Sequence, residues 1–305
     1  VNADTTVQEK NITFPTDSKL HKKIIKKTLK IVQDEQLPIR QSYTRILKKL
    51  SVDQRFRNHT RNKSKARKAD KKVKTIAGRL VRELERNLSP DSIHQKTILF
   101  FKQVLTQTRG SKHKIYSLHE PDVLCISKGK EHKKYEFGNK VSIVKTQNTG
   151  VIVGAMGFRN EFDGHTLTPA LQQVNRMIGK EPKTVSVDRG YRGNTQIGAT
   201  QVQIPKPFND KKQTKYQQNK LKEAHRKRAA IEPVIGHLKT DHRLGRNFYK
   251  GIIGDNINIM LAAAAFNFKR MMNKWKSSFF VFIQNLIIQL YRCRLNWIIR
   301  SKIAF

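Results

Sequence analysis

Apolar residues recur along the first third of the chain at helical spacing. The i, i+4, i+7 pattern that begins at Ile25 predicts one amphipathic helix, and a similar pattern that begins at Val73 predicts another. Between them, residues 55–74 are so polar that they indicate a solvated helix or a loop. Residues 17–110 are therefore predicted to form a helical block, which follows a short strand over residues 1–8.

Period-two and β-branched patterns replace the helical spacing after Tyr116. The turn residues Asn148-Thr149-Gly150 separate two strand-like runs, which indicates a hairpin. A mixed sheet with helices on its faces, an α/β architecture, is the expected result. The predicted elements are strands over 123–127, 137–145 and 151–156, a helix over 167–178, strands over 184–187 and 201–204, and helices over 215–242 and 257–275.

The charge of the chain indicates its partner. Its 305 residues include 62 Lys and Arg against 23 Asp and Glu, a formal net charge of +39. Residues 19–74 alone contain 20 basic residues and four acidic ones. Such a charge excludes acidic nucleic-acid mimics and favours DNA or RNA as the partner. It does not distinguish an enzyme from a structural binding protein.

The cysteines and the two ends of the chain give less information about function. Cys125 and Cys293 lack metal-site spacing and form no disulfide framework, which favours a reducing cytosol. The chain begins with Val1 rather than Met, which predicts that an upstream portion is missing. Residues 279–305 mix apolar runs with Gln, Asn and Arg, and their apolar run is too short to span a bilayer. They are interpreted either as a packed or interfacial partner helix or as a non-native extension.

In so basic a chain, carboxylates in apolar surroundings are the informative residues, because burying an ionised carboxylate is costly unless it is paired or binds a metal. Asp4 lies in a short strand-like run, where an ordinary turn or capping role is the simpler interpretation. Asp188 follows the β-branched run 184–187 and opens Asp188-Arg189-Gly190-Tyr191-Arg192-Gly193. The carboxyl end of a parallel strand before a glycine-rich turn is a usual position for a site.

Glu232 is the third candidate. Arg228 lies four residues before it and Lys239 seven after it, on the same face of a predicted helix. Pro233 disfavours helical geometry at Glu232, so the helix is expected to kink or restart there. Taken alone, a solvated Arg–Glu pair is the simpler interpretation.

Together these motifs resemble the DDE transposases of bacterial insertion sequences. The closest group carries a Tyr-x2-Arg-x3-Glu-x6-Lys signature, which corresponds here to Arg228, Glu232 and Lys239, with His225 at the tyrosine position. The resemblance covers roughly residues 1–275. It includes the strings Ile231-Glu232-Pro233-Val234-Ile235-Gly236-His237-Leu238-Lys239 and Asn160-Glu161-Phe162-Asp163-Gly164-His165-Thr166-Leu167.

The resemblance implies a ribonuclease H-like fold. In it, Asp4 lies on the first strand, Asp188 on the fourth strand, and Glu232 on a following helix. The basic helical block is then an insertion after the first strand. The implied domains are the first strand over 1–16, the insertion over 17–115, the rest of the catalytic domain over 116–276, and the extension over 277–305.

The resemblance also implies chemistry. Asp4, Asp188 and Glu232 would be catalytic and would hold two divalent cations, Mg²⁺ or Mn²⁺, for cleavage and strand transfer on DNA. The implied partners are double-stranded DNA, as terminal inverted repeats and as target, and a second copy in a homodimer. No membrane partner is expected, and the location is cytoplasmic, on the bacterial nucleoid. The implied DNA contacts come from Arg189, Tyr191, Arg192, His225, Arg228 and Lys239.

Two rival interpretations remain open. The chain could be a nucleic-acid-binding protein without catalysis, including a decayed transposase that binds but no longer cuts. Asp163-Gly164-His165 could form an auxiliary site, but a turn before the helix that starts at Leu167 is the simpler interpretation. No Walker-type phosphate loop is present in the sequence, so ATP-driven chemistry is unsupported.

Overall fold

The structure, a computed structural model, describes residues 1–127, 134–159, 161–193, 195–207 and 214–303. For residues 290 and 292–303 it describes the backbone alone. Asn160, which opens one of the family-like strings, and residues 304–305 of the predicted extension lie outside the described residues.

The chain divides into two compact units. The sheet unit comprises Val1–Lys10 and Gly138–Phe305, and the helical unit comprises Asn11–Phe137. Both the helical unit and the predicted insertion follow the first strand. The four domain ranges given by the sequence stay a prediction.

The sheet unit opens with β1 (Asn2–Lys10), and the helical unit follows it in the chain. A hydrophobic core that includes Ile24, Val73, Leu84 and Phe101 holds the helices of this unit together. The elements of the helical unit are α1 (Asp17–Asp34), α2 (Thr44–Asp53), α3 (Thr60–Asn87), α4 (Gln95–Thr106) and β2 (Leu124–Ser127).

Helix α3 includes most of the segment that was predicted to be solvated. Ala66, Ala69 and Val73 are buried, and they extend the apolar face of the helix toward its N-terminus. The small alanine side chains produce a weak sequence pattern, yet they allow close packing. The segment is therefore a helix with one buried side, and only its remaining faces are solvated.

The rest of the sheet unit alternates strands and helices. The predicted hairpin is confirmed, since its two strands pair antiparallel. The elements are β3 (Tyr135–Lys145), β4 (Ile152–Phe158), α5 (Asp163–Ile178), β5 (Thr184–Ser186), a 3-10 turn (Arg189–Tyr191), β6 (Gln196–Ile197), β7 (Thr200–Gln203), α6 (Lys215–Ala229), α7 (Glu232–Thr240), β8 (Arg246–Asn247) and α8 (Gly251–Ile303).

The sheet is mixed, as predicted. Its strands follow the order β3-β1-β5-β7-β6, with β4 paired to β3 and β8 paired to β1. Strand β1 runs antiparallel to β3 and parallel to β5, and β5 runs parallel to β7. Asn2 is level with Ser186, so the first residues of β1 and the segment that follows β5 lie side by side.

Helices cover both faces of this sheet. On one face, Leu167 and Val174 of α5 pack with Val144 and Val185. On the other face, Leu238 of α7 and Ile259 of α8 pack with Val141 and Ile143. Alternate residues of β3 thus point to opposite layers, as the pleat of a strand requires.

Helix α8 joins the sheet through polar contacts at its start. The Lys10 Nζ lies 2.6 Å from the Asp255 Oδ1, and both side chains are at most 3% exposed. Further along, the Asn267 side chain bonds the backbone N–H and C=O of Ile152 at 2.9 and 2.8 Å, which satisfies part of the edge of β4.

The sequence placed the end of this helix at residue 275, whereas α8 continues to Ile303. Many large apolar side chains of its second half are exposed, among them Phe279 and Phe282. Between Gly251 and Gln289 the helix is long and apolar enough to cross a membrane by length and composition alone. One such helix is weak evidence, and the expectation of no membrane partner stays a prediction.

Candidate active site

Asp4 is the third residue of β1 and lies opposite Ile143 of β3. Its side chain is 14% exposed, and its Oδ1 accepts a hydrogen bond of 2.8 Å from the backbone N–H of Thr5. Burial raises the pKa of Asp4 to about 6, against the lowering effect of the Thr5 N–H. The negative charges of Asp188 and Glu232 also raise this pKa, and Arg228 lowers it. Asp4 is therefore electrostatically coupled to both other acids.

Asp188 lies just beyond the carboxyl end of β5, the strand parallel to β1. Its Oδ1 accepts a hydrogen bond of 2.8 Å from the backbone N–H of Gly190, which caps the 3-10 turn. Because the two strands are level at Asn2 and Ser186, Asp188 lies at the same height of the sheet as Asp4. The topology thus brings together two acids that are 184 positions apart in the chain.

Glu232 is the first residue of α7, and the helix restarts there as Pro233 predicted. Its side chain is 57% exposed. The Arg228 Nη1 donates to the Glu232 Oε1 at 2.5 Å, and the Arg228 Nη2 lies 3.6 Å from the Asp4 Oδ2. One guanidinium therefore stands between the first and third acids.

The other predicted contact residues differ in accessibility. Arg189 and Arg192 are exposed on the turn that follows Asp188. The His225 Nε2 lies 3.0 Å from the carbonyl oxygen of Lys206, and Lys239 is half-buried on α7. Tyr191 is fully buried, and this burial raises its pKa far above the ordinary value. Its side chain would reach DNA only if the turn opened.

A fourth acid, Asp163, joins the site. The sequence suggested a turn before the helix, but Asp163 is the first residue of α5 itself. Its Oδ1 accepts from the Thr5 Oγ1 at 2.6 Å and lies 3.0 Å from the Lys140 Nζ. The sequence indicated the Asp-Gly-His string as a candidate site. It did not predict the contact of Asp163 with Thr5, which is 158 positions away and depends on the fold.

The helical unit carries a separate basic cleft of about 500 Å³. Thr16, the N-cap of α1, lines it, and the positive end of a helix dipole favours anions. Buried His21 also lines it, and burial lowers the pKa of His21, which favours the neutral ring near pH 7. The cations that line the cleft are Arg57, Lys71, Lys74 and Lys114, against the acids Asp17 and Asp70.

The fold and the site define an α/β protein with carboxylates clustered at one end of a mixed sheet. A family model described as the transposase DDE domain matches residues 106–268, more than half of the chain. The chain belongs to this family of DDE transposases, which confirms the resemblance found in the sequence. The match includes Asp188 and Glu232 and begins after Asp4.

One curated relative also matches. It is an uncharacterized protein of Rhizobium meliloti, ORF8 in the nfe locus, which is 43% identical over 61 residues. These residues are 20% of this chain and 30% of that protein, so the chain spans less than a third of that relative. No solved structure matches the chain.

DDE transposases act on DNA and generally use divalent metal ions. The acids of this chain suit such ions in chemistry, because Asp and Glu supply the hard oxygen ligands that Mg²⁺ and Mn²⁺ prefer. In the arrangement seen, no group of three His, Cys, Asp or Glu side chains within the described ranges is close enough to hold an ion together. The Glu232 side chain instead pairs with Arg228.

Proposed function

We propose that this chain is a DNA transposase that cleaves the ends of an insertion sequence and joins them to target DNA in a metal-dependent reaction. The observation that carries the proposal is the placement of the three acids, since Asp4 and Asp188 lie level in neighbouring parallel segments and Arg228 lies 3.6 Å from Asp4 and 2.5 Å from Glu232. Three acids of like charge repel one another, and a bound cation relieves that repulsion.

The fold of the sheet unit supports a ribonuclease H-like assignment. Within this unit, β1 carries the first acid, β5 is the fourth strand and precedes the second acid, and α7 carries the third. The family resemblance assigned Asp4 to the first strand, Asp188 to the fourth and Glu232 to a later helix, and Asp188 lies two residues past the fourth strand. The antiparallel pairing of the first three strands and the parallel pairing of β5 with β1 agree with it.

In the proposed reaction, Asp4, Asp188 and Glu232 hold Mg²⁺ or Mn²⁺. Bound ions would activate the attacking oxygen and stabilise the leaving oxygen of a phosphoryl displacement. Water attacks first and frees a 3′-OH at the element end, and this 3′-OH then attacks the target strand. Protein nucleophiles are not required, so the acids act as ligands.

The cations of the site have two roles in this proposal. Arg228 offsets the charge of Asp4 and Glu232 and contacts a DNA phosphate when Glu232 turns toward the metal. Lys239, His225, Arg189 and Arg192 contact phosphates around the scissile bond, where charge-assisted hydrogen bonds are strong. The burial of Tyr191 favours a role in packing the turn rather than in touching DNA.

The helical unit supplies the sequence-independent part of DNA binding. Its basic residues carry no base-reading code, and contacts of this kind position the duplex and respond steeply to salt. The cleft that contains Lys71 and Lys74 is a concave surface on which a phosphate could rest. We also infer a homodimer acting on paired ends in the cytoplasm.

One observation favours the alternative of a DNA-binding protein without catalysis. Glu232 is engaged with Arg228 at 2.5 Å, and the described acids do not converge into a three-ligand metal group. In a decayed transposase, Glu232 would stay paired with Arg228 when DNA is bound.

The test is Mg²⁺-dependent nicking of DNA that carries the inverted repeats flanking the coding region. The wild-type chain is expected to nick at the repeat ends, and Asp188→Ala is expected not to. Asp91→Ala removes an exposed acid of the helical unit and serves as the matched control. Binding of the repeats by the wild-type chain without nicking would favour the alternative. Nicking by Asp188→Ala would refute the assignment of the site.

A further inference from the structure

The carboxylates of Asp4 and Asp188 each accept a hydrogen bond from one backbone N–H. Asp4 accepts from Thr5 N–H, and Asp188 accepts from Gly190 N–H, both at 2.8 Å. The orientation of each carboxylate therefore depends on the placement of the residue that donates to it.

Asp163 contacts both of these donor residues. Its Oδ1 accepts from the Thr5 hydroxyl at 2.6 Å. Its Oδ2 lies against Gly190, where an added Cβ would be 3.0 Å from that oxygen and 3.0 Å from the Asp188 Oδ1. The absence of a side chain at Gly190 lets the carboxylates of Asp163 and Asp188 approach the turn from two sides.

A capping role for Asp163 does not account for these contacts. An acid at the first position of α5 is favoured by the helix dipole, which requires only that it be near the N-terminus. The helix dipole gives no reason for a short bond to Thr5 on β1, or for the pairing with Lys140 on β3 at 3.0 Å. Asp163 thus joins β1, β3, α5 and the turn after β5.

We propose that Asp163 is a positioning residue of the metal site, which holds Thr5 and the Gly190 turn so that Asp4 and Asp188 face the same ions. This inference rests on the proposed function, since it assigns a role within that site. Residues that orient metal ligands in this way typically change metal affinity by about 10–100-fold when they are removed.

The test is calorimetric titration of the full chain with Mn²⁺, without DNA. Thr5→Val removes the hydroxyl and keeps the β-branched shape, whereas Thr5→Ser keeps the hydroxyl and is the matched control. Asp163→Ala removes the carboxylate, and Asp188→Ala removes a proposed ligand. Thermal unfolding of each variant reports any loss of fold. Thr5→Val leaves the first turn of α5 unchanged, so it separates positioning from helix capping.

We expect Asp188→Ala to abolish Mn²⁺ binding, Thr5→Val and Asp163→Ala each to weaken it about tenfold, and Thr5→Ser to bind like the wild-type chain. Wild-type affinity in Thr5→Val, with binding lost in Asp188→Ala, would overturn the inference and leave the proposed function standing. A wild-type chain that binds no Mn²⁺, or an Asp188→Ala variant that binds it normally, would overturn both.

Discussion

The two units arrange their few carboxylates differently. In the helical unit, acids pair singly with cations near the surface, and the pairs are Asp17–Lys114, Asp53–Lys65, Asp70–Arg57 and Glu85–Lys102. In the sheet unit, four acids gather at one end of the sheet, at Asp4, Asp163, Asp188 and Glu232. The sheet unit also pairs single acids with cations, as in Asp255–Lys10 and Asp241–Lys269, but these four acids lie together at one end of its sheet.

Topology explains this difference. Side chains on an amphipathic helix radiate around the axis, so the acids of α1, α2 and α3 meet cations rather than one another. Strand β5 ends beside the first residues of β1, and Asp163 and Glu232 are the first residues of α5 and α7. A site therefore forms in the sheet unit from residues distant in sequence, and the helical unit offers an extended basic surface.

Replacement of single carboxylates of the sheet unit should have the largest effect of the changes that test the difference between the two units. Asp4→Asn, Asp188→Asn and Glu232→Gln should each lower the rate of DNA cleavage by about a thousandfold, as when a group that stabilises transition-state charge is lost. Single-turnover cleavage of end-labelled DNA measures the rate, and a gel-shift titration in EDTA checks that DNA binding persists.

The matched changes in the helical unit are Asp70→Asn and Glu85→Gln. Their cleavage rates should stay within about fivefold of the wild-type rate, since exposed ion pairs contribute at most about 1 kcal/mol. A thousandfold lower cleavage rate in either variant would show that acids of the helical unit matter as much as those of the sheet unit.

A cavity in the helical core tests whether the two units act separately. Leu84 is fully buried on α3, and Leu84→Ala should lower the free energy of unfolding by about 2–5 kcal/mol. Urea denaturation measures this loss. DNA affinity should fall with the fraction of folded helical unit, whereas Mn²⁺ binding by the sheet unit should persist. Equal loss of both would show that the units depend on each other.

The pH dependence of stability tests the burial of Asp4. Its pKa is raised from 3.8 to about 6, so the folded state holds the proton more tightly than the unfolded state. The resulting stabilisation is fully present below pH 3.8 and is lost as the pH rises through about 6. It amounts to at most about 3 kcal/mol, from roughly two pKa units.

Asp4→Asn cannot titrate and is the reference for this measurement. Chemical denaturation in EDTA should show that the stability of the wild-type chain relative to Asp4→Asn declines between pH 4 and pH 7. A difference that stays constant across that range would contradict the buried, coupled position of Asp4.

The salt dependence of DNA binding tests whether the basic cleft contacts DNA phosphates. Changes in this cleft should have the smallest effect of those described. Replacement of both Lys71 and Lys74 by Gln should weaken DNA binding about tenfold and reduce the slope of log K against log salt by about 1.8, if each contacts one phosphate. Lys65 and Lys102 are paired with acids. Their replacement by Gln should change the slope less, and an equal change would mean that the cleft has no special role.

The sequence predicted the parts of this structure that depend on local pattern. The hairpin of β3 and β4, the position of Asp188 after β5, and the restart of the helix at Pro233 all follow from nearby residues. The family resemblance then supplied the association of Asp188 with Asp4 and Glu232, which no local pattern contains.

The remaining features depend on tertiary contacts. The burial of Ala66 and Ala69 required the partner helices, since alanine contributes little to a hydrophobic pattern. The burial of Tyr191 and the bond between Thr5 and Asp163 arise only when β1, β5 and α5 meet. The Thr5–Asp163 bond joins residues 158 positions apart, so no local window of sequence includes both members.

Iron-directed cleavage of the polypeptide tests the central claim most directly, because Fe²⁺ can replace Mg²⁺ and generates radicals that cut the nearest backbone. With ascorbate and peroxide, we predict fragments that end near residues 4, 188 and 232, and their suppression by excess Mg²⁺. Cleavage confined to the helical unit, or cleavage that Mg²⁺ does not suppress, would contradict a metal site built from these acids.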